Sequence, residues 1–385
     1  MDTNKRSGRT SRKLVFGLVV SIVFGAFIFA FATVSKRPKH QASSPSTDSS
    51  VKVDTGIFNA KKITYLTDAE KDYFAAEHRL PELSSDDSQS LARRLGNESS
   101  RAADSKDFET ARKYRAIIHI IRKQDFEAFP DDFLKTASFA ISITGLGKLE
   151  KEAGNYEIAR KHLDESMEFL KQNKAGAPHR SLWLQLMMSR HRDLGDLEMQ
   201  LKQYEAAKHH YEEFLEFVIK NPSHEDYFYN HAEGYFLLAG LNFEQKLWPE
   251  AAQDYESSIK LLEKLIKNRL SEGNPRDELL IWQRLAYSYQ QYGYTAYVQS
   301  DNEAALLRHM EAIKARKNAL KSERSGISEE LDLAATYYYA ARQTTGKDNE
   351  FYLSALEILE RLKKTQDLPK TYEKIIEDID SITSR

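Results

Sequence analysis

Four times along this chain a small residue stands twelve positions before an alanine: Gly147 and Ala159, Gly195 and Ala207, Ala239 and Ala251, Gly293 and Ala305. Around each pair lie two long stretches of helical character separated by a short break. They fall at about 131–153 with 156–172, 179–201 with 204–220, 226–246 with 249–268, 276–300 with 302–321, and 328–344 with 349–364. A single helix at about 106–124 precedes them and another at about 367–382 follows. Pro130, Pro178, Pro222, Pro249 and Pro275 sit at breaks or helix starts, where a missing N–H is harmless. No convincing run of strands is present. Glycine is 16 of 385 residues, about 4% against a usual roughly 7%, which argues against glycine-rich α/β nucleotide folds and for helices. A Gly or Ala at a helix crossing lets two backbones approach closely. The constant spacing therefore predicts helix hairpins that close at the same point each time.

Further residues recur with the alanines. The first unit has Leu146-Gly147, then Gly154-Asn155-Tyr156, Ala159 and Leu163. The second has Leu194-Gly195, Tyr204, Ala207 and Tyr211, and the third has Leu238-Ala239, Trp248, Ala251 and Tyr255. The fourth has Gly293, Asn302 and Ala305, with His309 where the others carry a large apolar or aromatic side chain. Phe108 with Ala111, and Tyr352 with Ala355, read as eroded copies at the two ends. These units resemble tetratricopeptide repeats, helix hairpins of about 34 residues. The periods here are longer: 48 from Gly147 to Gly195, 44 to Ala239 and 54 to Gly293. The resemblance covers about residues 105–365. It implies an all-α, TPR-like helical-hairpin solenoid over 105–385, closed by a C-terminal capping helix. On function it says little.

In that family the first helix of each pair often lines a concave, peptide-binding face. The resemblance places Thr144 and Lys148 there in the first unit, and Arg192 and Asp196 in the second. The third unit supplies Phe236, Gly240 and Phe243, and the fourth supplies Tyr287, Gln290, Tyr294 and Tyr297. The aromatic half of this set fits a groove with adhesive anchors; the competing reading puts the same aromatics in the core. The Lys/Asn/Lys/Arg set that clamps a C-terminal carboxylate in some chaperone-binding members is not apparent, so a chaperone-tail receptor is not expected.

Residues 14–34 form an uncharged run of 21, reaching roughly 32 Å as a helix, enough to cross a hydrocarbon core of about 30 Å. The run is longer than the apolar part of a cleaved signal peptide and carries Phe to its end, although Ala30-Phe31-Ala32 leaves cleavage open. Lys5, Arg6, Arg9, Arg12 and Lys13 precede it; Lys36, Arg37 and Lys39 follow. This bias places the N-terminus inside and the rest of the chain outside. Gly17, Ser21 and Gly25, four apart, share a helical face suited to close association in lipid. The organisation expected is a basic tail (1–13), a transmembrane helix (14–34), a Ser-rich tether (35–64), an irregular or partly helical segment (65–104) with a short helix around Leu91 to Leu95, and the repeats (105–385). Asn97-Glu98-Ser99 matches a glycosylation acceptor, relevant only in a eukaryotic secretory setting.

Composition excludes several chemistries. Lys plus Arg total 56 and Asp plus Glu 58, a net charge of -2, which argues against a binder that works by phosphate neutralisation; no nucleic acid is expected. Zero cysteines remove disulfides, thiolate nucleophiles and Cys-ligated metal. No phosphate loop, dinucleotide fingerprint, HExxH or GxSxG is present. His209 and His210, and His224 and His231, read as isolated surface histidines. Glu212, Glu213 and Glu216 read as a solvated helix face. So do Arg112, Lys113, Arg122 and Lys123, and Arg308, Lys314, Arg316, Lys317 and Lys321. No catalytic residue, metal ligand or cofactor is expected. The reading is a membrane-anchored protein-interaction scaffold or adaptor in a bacterial inner membrane, with a periplasmic repeat domain. Its partners would be other proteins, membrane-associated, with self-association through helices or span. The rival readings are an assembly or quality-control factor, an enzyme with an unfamiliar helical site, and an organellar membrane or cytoplasmic repeats.

Overall fold

The repeated backbone feature is the hairpin turn. In the computed structural model, which describes residues 85–222, 226–272, 278–344 and 349–383, five hairpins close in the same way. The first helix ends, one residue adopts the left-handed conformation, and the next residue's N–H reaches back five positions. Asn155 N donates to Glu150 O at 2.8 Å, Gln203 N to Glu198 O at 2.8 Å, and Leu247 N to Asn242 O at 2.9 Å. Asp107 to Ala102 and Asp301 to Ala296 complete the set. The left-handed residues are Lys106, Gly154, Lys202, Lys246 and Ser300. These bonds satisfy carbonyls that a helix end would otherwise leave open. A fixed turn geometry is why the spacing of twelve recurs.

The chain divides between Ile118 and His119 into two units. The first contains helix α1 (Ser85–Asp104) and the start of α2 (Phe108–Ala128). Here sequence reasoning fell short: the short helix expected near Leu91 is one continuous helix of 20 residues. Only Leu91 and Leu95 supply large apolar side chains, so its periodicity is faint. Ser99 stands twelve before Ala111 and takes the small-residue position; its hydroxyl donates to Ala111 O at 3.1 Å. The sequon at Asn97 therefore lies inside a helix with its serine buried.

In the second unit the pairs are α3 (Phe133–Glu152) with α4 (Tyr156–Gln172), α5 (Arg180–Gln200) with α6 (Tyr204–Ile219), and α7 (Tyr227–Glu244) with α8 (Trp248–Glu272). Then come α9 (Glu278–Val298) with α10 (Asn302–Ala319), α11 (Ile327–Ala341) with α12 (Glu350–Lys363), and a final α13 (Lys370–Thr383). Asp132, Asp301 and Asn349 cap α3, α10 and α12 through side-chain oxygens that accept early helical N–H groups. Successive helices pack on one another, and α3 also touches α5, α7 touches α9, and α11 touches α13. The second unit is an all-α helical solenoid with the first helices in one layer.

The small residues lie at the crossings, as their spacing predicts. A β-carbon on Gly147 would meet Ala159 O and Leu163 at 3.1 Å; one on Gly293 would meet Ala305 O at 3.0 Å and the His309 ring at 3.1 Å. His309, the apparent departure, is 1% exposed and fills the place taken by Leu163 and Tyr211 elsewhere. Between pairs, Leu163, Met167, Leu170, Trp183, Leu186 and Leu194 form one continuous core cluster. Each such side chain contributes roughly 1.5–3 kcal/mol on burial.

Residues 1–84, with the expected tail, transmembrane helix, tether and the set Gly17, Ser21 and Gly25, lie outside the described residues, as does His224. No helix among the described residues is long and apolar enough to cross a membrane.

Candidate functional site

The first-helix layer of the second unit is crossed by a line of charge. Lys148 on α3 reaches Asp193 on α5 at 3.0 Å, and Asp193 also pairs with Arg190 at 3.3 Å. Arg190 Nε donates to Ser166 Oγ on α4 at 2.9 Å. Arg192 on α5 and Arg284 on α9 both donate to one oxygen, Oε1 of Glu233 on α7, at 3.2 Å. Further along, Arg316 pairs with Asp332 at 2.7 Å, and Tyr338 and Arg342 on α11 and its C-cap meet Asp378 on α13. Counted from the small crossing residues, Arg192 is at minus three, Glu233 at minus six and Arg284 at minus nine. Each first helix thus stands about one turn out of step with the last, so partners meet along a diagonal that no single repeat reveals.

Burial opposes these charges, and pairing outweighs it at Glu233, Asp193 and Arg192. Burial acts to raise the Glu233 carboxyl, but Arg192 and Arg284 outweigh it and hold it below its ordinary value. Asp193 is likewise held low, burial being outweighed by Lys148, Arg192 and Arg190. Glu233 raises the Arg192 guanidinium against the lowering effect of burial. Burial lowers Lys148, with Asp193 opposing, and brings Arg190 down to about 10. Asp196 is raised by burial and accepts the Tyr211 hydroxyl at 2.8 Å. Such mutually committed groups fix the register of neighbouring helices; they are not arranged for proton transfer.

The residues expected to line a groove divide. Thr144 is buried, bonded to Ala140 O at 3.0 Å and to Ser166 Oγ at 2.9 Å. Phe236 is packed between Tyr255 and Tyr287, with the Arg284 guanidinium 4.7 Å from its ring centre. Phe243 lies between Trp248 and Tyr294. Phe236, Phe243, Tyr287 and Gly240 are core, and buried Gln290 accepts from Thr336 on the next first helix at 3.2 Å. Lys148, Arg192, Asp196, Tyr294 and Tyr297 remain partly exposed.

Sequence reasoning missed the apolar part of this face. Leu134 and Ile141 on α3 are 52% and 50% exposed. With Lys148 they stand seven apart, a single stripe along α3. Three apolar-or-basic positions at heptad spacing were the available signal. Also missed were Arg190, Asp193, Glu233 and Arg284, whose partners lie 41 to 51 residues away or on neighbouring helices. His209 and His210 are not isolated: the rings of His191 and His210 are 5.8 Å apart, and those of His209 and His210 are 5.6 Å apart. No cluster of three or more metal-binding side chains occurs among the described residues.

A shallow groove of about 340 Å³ lies between α10, α11 and α12, floored by Leu320, Leu333 and Ile358 with Glu330 and Arg361 at its rim.

Comparison with known proteins agrees with the repeat reading at one point in the chain. The family model SHNi-TPR matches residues 232–268, which fall in α7 and α8. No curated protein sequence matches. Among solved structures the chain is similar to BtubC (BKLC) from P. vanneervenii, at 16% identity over 76% of this chain and 91% of that one, TM-score 0.46. It is also similar to the apo form of RapI, at 12% identity over 71% and 84%, TM-score 0.47. The S. pombe nuclear import adaptor Nro1 is similar at 9% identity over 76% and 99%, TM-score 0.43.

Proposed function

We propose that this chain is a protein-interaction scaffold, held at a membrane by residues 14–34, whose first-helix layer presents the binding surface. The observation that carries the reading is the stripe of Leu134, Ile141 and Lys148 on a layer locked by the Arg192–Glu233–Arg284 bridge. A surface already fixed by side-chain pairs has little left to order when a partner docks. Exposed Leu134 and Ile141, in line along α3, suit a partner segment with apolar anchors. Anchoring through 14–34 would confine scaffold and partner to one plane and raise their effective concentration. The five-to-three basic bias across that run supports repeats on the outer side.

The test is affinity capture of the full chain from detergent extracts, beside the Leu134→Glu/Ile141→Glu variant. The reading expects one stable partner that the variant loses. Many weak clients, insensitive to the variant, would replace the scaffold by an assembly or quality-control factor. Protease added to intact spheroplasts should digest the repeats; full protection reverses their placement.

A further inference from the structure

We propose that the contact between His191 and His210 makes the α5–α6 hairpin an acid-sensitive joint, closed while both rings are neutral and opened by their protonation. The proposal goes beyond the scaffold reading and does not depend on it.

His191 lies on α5 four residues before the crossing glycine, Gly195, and His210 lies on α6 three after Ala207. The two rings therefore face each other across the hairpin, 5.8 Å between centres. The His191 ring is also 5.5 Å from the ring of Phe217, in apolar surroundings. Nδ1 of each histidine is buried and has no hydrogen-bond partner among the described residues. A neutral imidazole tolerates this as an unused acceptor. An imidazolium would leave an N–H aimed at nothing, beside a second ring of the same tendency.

The charged surroundings point the same way. Lys171 on α4 and His209 on α6 act on both rings, and Arg160 on α4 acts on His210. All of these favour the neutral form. Two carboxylates beside these cations are already paired: Glu168 holds Lys171 at 2.9 Å, and Glu198 holds Arg160 at 2.7 Å. Burial, with these cations, lowers each ring to about 4 in the closed hairpin, against an ordinary 6.5. A lowered folded-state value means the closed form binds fewer protons than the open form. Closure is thus at full strength above about 6.5 and weakens as pH falls from there toward 4. The hairpin also carries Arg190, Arg192 and Asp193, so opening it would interrupt the charged line through the first-helix layer.

Amide hydrogen exchange on the full chain in detergent, corrected for the pH dependence of intrinsic exchange, tests this. Between pH 7.5 and 5.5 each ring should add about a factor of ten to opening, so protection at residues 186–195 and 206–214 should fall about a hundredfold. The crossing of α9 and α10, which holds the single buried ring of His309, should lose about tenfold. His191→Phe should reduce the loss at the α5–α6 hairpin to about tenfold, and His210→Gln, which keeps its size and polarity, should do the same. A hundredfold loss persisting in either variant, or no greater loss here than at His309, overturns the proposal.

Discussion

Gly195 lies so close to the ring of Tyr211 that a β-carbon built on it would stand 2.4 Å from Cε1. Tyr211 is fixed in turn, because its hydroxyl donates to Asp196, the residue after the glycine. The ring therefore has no free direction in which to yield. Gly195→Ala should destabilise the chain by about 1–3 kcal/mol, the usual range for overpacking a filled crossing. Gly96, mid-helix in α1, has nothing within 4 Å of its would-be β-carbon. There the same change should stabilise by about 0.8–1 kcal/mol, through helix propensity alone. Urea denaturation of the two variants should give opposite signs.

Glu233 is the shared acceptor of two guanidiniums on different helices. Glu233→Ala removes the carboxylate that Arg192 and Arg284 share and leaves the two guanidiniums close together, and should cost about 3–5 kcal/mol. Its dependence on pH follows from its depressed folded value. The stabilisation is fully present above about 4.5 and is lost as pH falls through the lower folded value. Arg192→Met should cost less than Glu233→Ala, because Arg284 remains to satisfy the carboxylate. Chemical denaturation at pH 7 ranks the variants, and an equal cost for the two would contradict the shared-acceptor geometry.

The hairpins were legible because one backbone turn and one close crossing fix a spacing of twelve, and small residues mark it. The same spacing holds in α1, where Ser99 stands opposite Ala111, but a serine marks a close crossing less clearly than a glycine or alanine does. The face of the first-helix layer was less legible. Position within a repeat says which side of a helix a residue occupies, but not how far its neighbour is displaced along the stack. The displacement of about one turn buries Phe236 under Arg284 and Tyr287 and leaves Ile141 open. Charged residues at minus three, minus six and minus nine look unrelated until the helices are laid side by side. The facing of His191 and His210 was hidden likewise, although both positions follow from the crossing at Gly195 and Ala207.

Lys202 and Lys246 occupy the left-handed position of two hairpin turns, with φ of 58° and 63°. The equivalent residue in the α3–α4 turn is Gly154, at 81°. A β-carbon in this region crowds the following carbonyl, at about 1–2 kcal/mol. Lys202→Gly and Lys246→Gly should each stabilise by up to about 1 kcal/mol, the relief of strain being partly offset by the freer unfolded chain. Gly154→Ala should do the reverse. A thermal melt in which both lysine variants fall below the parent would show that the lysine side chains make compensating contacts.

His309 fills the place that Leu163 fills in the first pair, against the crossing glycine, with its ring 6.3 Å from that of Tyr339. Nδ1 is buried without a hydrogen-bond partner among the described residues. Burial lowers the ring to about 4 from 6.5. Its contribution is therefore intact above about 6.5 and is lost as pH falls toward 4, because the unfolded chain takes up the proton first. By pH 4.5 the loss from this ring alone is roughly 2–3 kcal/mol, at about 1.4 kcal/mol per unit of separation. His309→Leu supplies an apolar plug of similar reach and removes the titrating group. Its stability at pH 7.5 should lie within about 1.5 kcal/mol of the parent. Between pH 7.5 and 4.5 it should lose roughly 2–3 kcal/mol less than the parent in urea denaturation. Parallel losses in parent and variant would mean that His309 is already hydrated, and that the fourth crossing is looser than the other three.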